Sequence, residues 1–342
     1  MNLPPEWDGE EYTDYEEYGL YDKEDYYMDK YLIGHSEIEA NAKENVGLPY
    51  IRTIPATRIV LCMSKLAHKI HNGELASGKD EWTENDGTEI SVVLQAAEMP
   101  IELTAFDMAV YAAIVSLYAC EIHEFSTTAV CRTLCFRPQI SIISANLQSA
   151  VKKAIDKMAG IEMEIHKTLP DGTVGEYAAR LIEIETFDGL TDNGHVCSFW
   201  RCTKPPILYE YSLDVHQCWF LRMKDVQTGD ALLNHIRTIV IRYCLLRRIT
   251  IMRRQADLRR RNVNRIAFDT FFKEIGANGQ SVPVKKKIRK AIKVCLECWR
   301  KTGLVEEYSV YKKHNRIIGV EIQVPLPVSK TNEHRKNGPF TS

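Results

Sequence analysis

The stretch SVPVKKKIRKAIKVCLECWRK, residues 281–301, decides how the chain is read. Val284, Ile288, Ala291, Cys295 and Trp299 recur at helical spacing and make one apolar face. The other faces carry Lys285, Lys286, Lys287, Arg289, Lys290, Lys293, Arg300 and Lys301 against a single carboxylate, Glu297. Pro283 suits a first helical turn, so the helix is expected to begin just after Ser281. A helix packed on one side and cationic on the other can enter a major groove, where lysines and arginines meet phosphates and guanine edges.

Working outward, Leu304–Tyr311 and Ile317–Val324 read as a closing hairpin with KKHNR, residues 312–316, at its tip. Lys312, Lys313 and Arg316 there could reach an adjoining phosphate backbone. Upstream, a short helix is expected over Ile266–Ile275, ending at Gly276, and a long one over Gly229–Arg254 with Leu232, Ile236, Ile239, Tyr243 and Leu246 inward. Arg259, Arg260, Arg261 and Arg265 enter the same basic region. Three helices followed by a hairpin is the winged-helix order.

The same order is expected earlier in the chain. Thr104 with Asp107 predicts a capped helix carrying Leu103, Phe106, Val110, Ile114 and Leu117 as one stripe. A short helix follows from Ser126, and a third runs from about Ile142 to Met158. Ile161–His166 alternates as a strand, PDG (residues 170–172) turns, and Leu181–Thr186 is the expected return strand. Before this unit, Glu89–Ala97 reads as a strand and Pro55–Gly73 as a helix. The third helix of this unit is less basic: Lys152, Lys153 and Lys157 are offset by Asp156, and Glu162, Glu164, Glu183 and Glu185 follow in the hairpin. Carboxylates repel phosphate, so this unit is expected to be a secondary DNA contact and its hairpin suits a protein interface better.

The expected fold class is α+β: two tandem winged-helix domains behind an acidic tail. Their bounds are a tail at 1–45, a first domain with additions at 46–225, a basic domain at 226–330 and a second tail at 331–342. Charge supports the division. Residues 1–45 hold fourteen acids, three bases and seven tyrosines, with few aliphatics, and are expected to be disordered. Residues 231–342 carry a net charge of +17 within a chain of 342 residues whose total is only −2. Such asymmetry points to a polyanionic partner for the basic end, double-stranded DNA first among them.

Other classes lack their signatures. No apolar run approaches the length of a membrane span; Ala105–Cys120, the best, contains Asp107. The acidic start MNLPPEWDGEEY resembles neither a secretory signal nor a transit peptide, and ten cysteines without a signal read as reduced thiols, so a cytoplasmic location is expected. GELASGKD, residues 73–80, approximates a phosphate-binding loop but ends on Asp80 where Ser or Thr would hold magnesium. No His-x-His pair is present to hold a nicking enzyme's metal. Cys131 with Cys135, and Cys295 with Cys298, fit core packing. His195, Cys197, Cys202, His216 and Cys218 could supply zinc ligands, but at a spacing that matches no zinc module. The expectation is therefore no enzyme, no catalytic residue, no metal and no cofactor.

Two segments, Leu103–Lys167 and Leu245–Val324, resemble the tandem winged-helix domains of iteron-type plasmid replication initiators. The phrases that carry the resemblance are LTAFDMAVYAAIVSLY with EFSTTAV, then LLRRI, RIAFDTFFKEIG and KIRKAIKVCLECWRKTGLVEEYSVYKKHNRIIGVEI. They are similar to initiator-like proteins of Firmicutes mobile elements. The resemblance implies a protein that binds repeated origin sites, helps melt the origin and recruits host replication proteins, with a homodimer as one of its forms. It implies main groove contacts from Lys286, Arg289, Lys290 and Lys293, and lesser ones from Lys152 and Lys153. A winged-helix transcriptional regulator without an initiator role remains the alternative, since both would bind DNA by the same physics.

Overall fold

The computed structural model describes residues 50–53, 77–84, 87–96, 103–136, 143–190, 196–214, 219–228, 235–257, 264–314 and 316–325. The expected tails at 1–45 and 331–342 and the whole of the expected Pro55–Gly73 helix lie outside them. In chain order, β1 (Tyr50–Thr53), β2 (Ser77–Thr83) and β3 (Glu89–Ala96) precede α1 (Ala105–Ala119). There follow β4 (Glu124–Ser126), α2 (Thr127–Leu134), α3 (Ala145–Ala159), β5 (Ile161–Thr168), β6 (Val174–Arg180), β7 (Ile184–Leu190) and β8 (Val196–Cys202). α4 (Ile207–Asp214), β9 (Trp219–Arg222) and α5 (Met223–Val226) lead to the last set. That set is α6 (Ile236–Asp257), β10 (Arg265–Ala267), α7 (Phe268–Glu274), α8 (Val282–Lys301), β11 (Glu307–Lys313) and β12 (Arg316–Gln323). Helices and strands are both present and all strand pairs are antiparallel, so the class is α+β.

α1 opens on the expected capping box. The Thr104 hydroxyl accepts from Asp107 N at 3.2 Å, and Asp107 Oδ2 accepts from Thr104 N at 2.7 Å. Every residue from Phe106 to Leu117 is buried, so the helix is not the one-striped surface helix expected from its sequence. It is apolar all round because it is packed all round, with α2, α3, α6 and β1 against it.

Strands β2-β3-β5-β6 form one sheet in that order. Ile90, Val92 and Leu94 of β3 and Ile161, Met163 and Ile165 of β5 face the core. The pairs Val92–Ile165 and Leu94–Met163 lie side by side across that face. The return strand of this hairpin differs from expectation. β6 covers Val174–Arg180, whereas Leu181 and Ile182 are a buried corner and Ile184 begins β7. β7 pairs with β8, and β8 with β4, in a second sheet of order β4-β8-β7. The return strand reads weakly because only Tyr177 and Ala179 pack inward from it, while the apolar Leu181–Ile182 pair marks the bend.

The basic end closes on a sheet of order β10-β12-β11. Ile266, expected to be helical, is a strand residue paired with Val320, and the helix starts at Phe268. Among the described residues the long helix begins at Ile236; Gly229 to Asn234, where its start was expected, lie outside them. Gly319 sits opposite Ala267, and a Cβ there would collide with the carbonyl oxygen of Ile266. Glycine is what lets β10 lie this close to β12.

One hydrophobic core runs through both sets of helices. Trp299 Nε1 donates to the Val226 carbonyl at 2.9 Å, and Thr302 Oγ1 to that of Asp225 at 2.7 Å. Arg242, fully buried on α6, donates Nη1 to Cys135 O at 3.3 Å and to Thr228 Oγ1 at 3.2 Å, beside the Phe136 ring. No helix among the described residues is long and apolar enough to cross a membrane.

Candidate nucleic-acid interface

α8 forms where the sequence places it. Ser281 is the N-cap in extended conformation, Pro283 occupies the first turn, and Arg300 and Lys301 lie in the last turn, where cations oppose the helix dipole's negative end. Gly303, at φ 77°, ends the helix, and the amides of Leu304 and Val305 both donate to the Trp299 carbonyl. Ile288, Ala291, Ile292, Cys295, Leu296 and Trp299 are buried. Desolvation holds the Cys295 thiol protonated, its pKa pushed up to about 12, so it behaves as a core residue.

The opposite side of α8 is cationic. Lys286 and Lys290 are exposed, and Lys287 and Lys293 half-exposed. Glu297, the one carboxylate of the helix, is held near its far end. Partial burial pushes its pKa up, but hydrogen bonds from Arg300 at 2.8 Å and Tyr308 at 3.1 Å outweigh that and hold it below its ordinary value. The remaining two cations flank the stripe against α7. The Lys285 ammonium lies 5.6 Å from the centre of the Phe272 ring, and the Arg289 guanidinium 5.3 Å from Phe268 and 5.9 Å from Phe272. Those rings stack on one another at 5.9 Å. A guanidinium lying on aromatic faces loses conformational freedom.

α7 is itself fixed from α6. Arg247 Nη2 reaches Glu274 Oε1 at 2.6 Å and Arg248 Nε reaches Glu274 Oε2 at 2.7 Å, all three side chains being largely buried. The sequence shows the arginines and the phenylalanines, but not that Glu274, at the end of α7, would tie α7 to the arginines of α6 as one support for Arg289. That link is a tertiary pairing with no local spacing.

The other candidate cations divide. Lys312, Lys313 and Arg316 are exposed around the β11–β12 tip, where Lys313 pairs with Arg316 in register and His314 takes a φ of 50°. Arg265 is engaged inside its own sheet: its Nε meets Glu321 Oε2 at 2.6 Å and its guanidinium lies 4.5 Å from the Tyr311 ring. Arg259, Arg260 and Arg261 lie outside the described residues. On α3, Lys152 and Lys153 are exposed beside exposed Asp156, while Lys157 is bound to Asp107 at 2.7 Å across the α1–α3 contact. The outer face of the β5–β6 hairpin carries Glu162, Glu164 and Glu176, with His166 between the last two at 3.7 and 3.6 Å.

Residues of rejected chemistries fall as follows. Gly78, Lys79 and Asp80 are extended residues of β2, paired with Leu94, Val93 and Val92, so this part of GELASGKD does not curl around a phosphate. Of the five candidate zinc ligands, Cys202 is buried, with its thiol pushed up to about 12 by desolvation; His195, His216, Cys218 and the Cys197 side chain lie outside the described residues. Cys131, Cys135 and Cys295 are buried thiols in no disulfide, and Cys298 is half-buried with its thiol on Thr228 O.

What the described residues define is an α+β protein with one helix that is apolar inward and lysine-rich outward. No family model matches the chain, and no curated protein matches it. Two crystal structures of domains 2 and 3 of RctB are similar in outline. One is 8% identical over 72% of this chain and 90% of that one, with a TM-score of 0.39. The other is 11% identical over 73% and 91%, with a TM-score of 0.41. A likeness at that level carries no conclusion about function.

Proposed function

We propose that the chain is a double-stranded-DNA-binding protein built on two winged-helix units, and that it acts as the replication initiator of a plasmid or mobile element. The observation that carries the DNA-binding reading is α8: Ile288, Cys295 and Trp299 have at most 1% exposure, while Lys286, Lys287, Lys290 and Lys293 stand on the other side. The order helix–strand–helix–helix–hairpin over α6 to β12, with β10 beside β12, supports the winged-helix reading of the basic end. Lys312, Lys313 and Arg316 then serve as the wing that follows the neighbouring backbone. Arg289, stacked on Phe268 and Phe272, is the cation best prepared for a base edge, and Lys285 flanks it. Lys152 and Lys153 supply the lesser contact of the first unit. The initiator role rests on the resemblance of the quoted phrases; it brings with it repeated origin sites, host replication partners and a homodimeric form, and it involves no catalytic step by this chain.

The test uses the full chain with Lys286, Lys290 and Lys293 all changed to Ala. Each lysine lost from phosphate should lower the slope of log affinity against log salt by about 0.9, so the triple variant should lose roughly 2–3 of slope. Its thermal unfolding should be unchanged, because none of the three is in the core. Equal slopes for both proteins would move the contact off α8. The DNA that the protein selects from a random pool decides the role: tandem repeats beside an AT-rich tract fit an initiator, and one palindrome fits a transcriptional regulator.

A further inference from the structure

We propose that Val282 reads the 5-methyl group of a thymine in the major groove and so sets part of the sequence preference of α8. The inference rests on the reading of α8 as a duplex-binding helix. Val282 is 78% exposed, the most exposed of the large apolar side chains among the described residues; Val174 follows at 57%. Single exposed apolar residues are ordinary on protein surfaces. Val282 differs by its position. Helical residues advance by about 100°, so Val282, Lys286 and Lys293 fall within a sector of about 40°, on the side away from Ile288, Cys295 and Trp299. A β-branched hydrocarbon thus stands in a row of cations, where it adds nothing to the core and nothing to phosphate binding.

The neighbouring chemistry fits a base edge. Pro283 fixes the backbone immediately after Val282, so the valine is held rather than frayed at the helix start. Ser281 and Gln280 are exposed beside it, and the Ser281 hydroxyl makes no capping bond to the helix. Lysine stems are long enough to reach phosphates from the middle of a helix, but valine reaches a base only where the helix itself enters the groove. On the floor of that groove the thymine methyl is the apolar feature among donors and acceptors.

The experiment takes duplexes selected by the full-length protein from a random pool and replaces each thymine in turn with deoxyuridine, which lacks only the methyl group. The wild-type protein should lose about fourfold in affinity at one or two positions, the worth of a single buried methyl. Val282→Ala should show the same loss on the thymine duplex and indifference to deoxyuridine there, with unfolding unchanged. Wild-type binding that is indifferent to every replacement, or a Val282→Ala protein that keeps the full sensitivity, overturns the inference and leaves DNA binding standing. Failure to select any duplex overturns the DNA-binding reading itself.

Discussion

Trp299 has no exposed surface, and its indole Nε1 ends on the Val226 carbonyl 73 residues earlier in the chain. Truncation to Ala removes the ring from a closed core and orphans that carbonyl, at a cost of about 3–5 kcal/mol in urea unfolding. Trp299→Phe keeps most of the packing but loses the hydrogen bond and part of the ring volume, costing about 1–3 kcal/mol. The difference between the two variants separates packing from tethering. The core role of Trp299 was legible in its sequence spacing with Cys295 and Ile288. Its tethering role was not, because the partner is a backbone carbonyl that no side-chain pattern advertises.

Elements differ in how clearly their residues announce them. α8 was legible at its start and along its face, since Ser281, Pro283 and the apolar period agree. β10 was hidden: three residues are too few to show alternation, and Ile266 looked continuous with the phenylalanines of α7. β2 was hidden by composition, because its SGKDEWT sequence buries little beyond Gly78 and Trp82. The lysines of α8 are visible in the sequence, but the commitment of Arg265 to Glu321 and of Lys157 to Asp107 depends on strand register and helix packing. β10 is small but fixed by Gly319. A methyl added there must push Ile266 away, so Gly319→Ala should cost about 1–3 kcal/mol and detach β10 from β12. Hydrogen exchange at Ala267 and Gly319 would detect the detachment; unchanged protection would show that the sheet adjusts.

At the scale of the molecule, the bonds from Thr302 to Asp225 and from Arg242 to Cys135 join the basic set of elements to the part before it along one continuous core. The boundary at 225/226 is therefore crossed by α5 and its partners, which bears on experiments that would cut the chain there. It also bears on DNA. Two reading heads on a flexible tether tolerate variable spacing, whereas two heads on one solid body hold a single rotational phase about the duplex. If α8 and the lysines of α3 touch the same site, inserting about five base pairs between their contacts turns one head's target to the far side of the double helix. Affinity should then fall to that of α8 alone, and an insertion of about ten should restore the facing but not the distance. A protein that accepted all three spacings equally would have its second contact elsewhere. On the proposed DNA-binding reading, the buried Arg242 would act as the stiffness of a ruler, and the length of DNA spanned would be set inside the core.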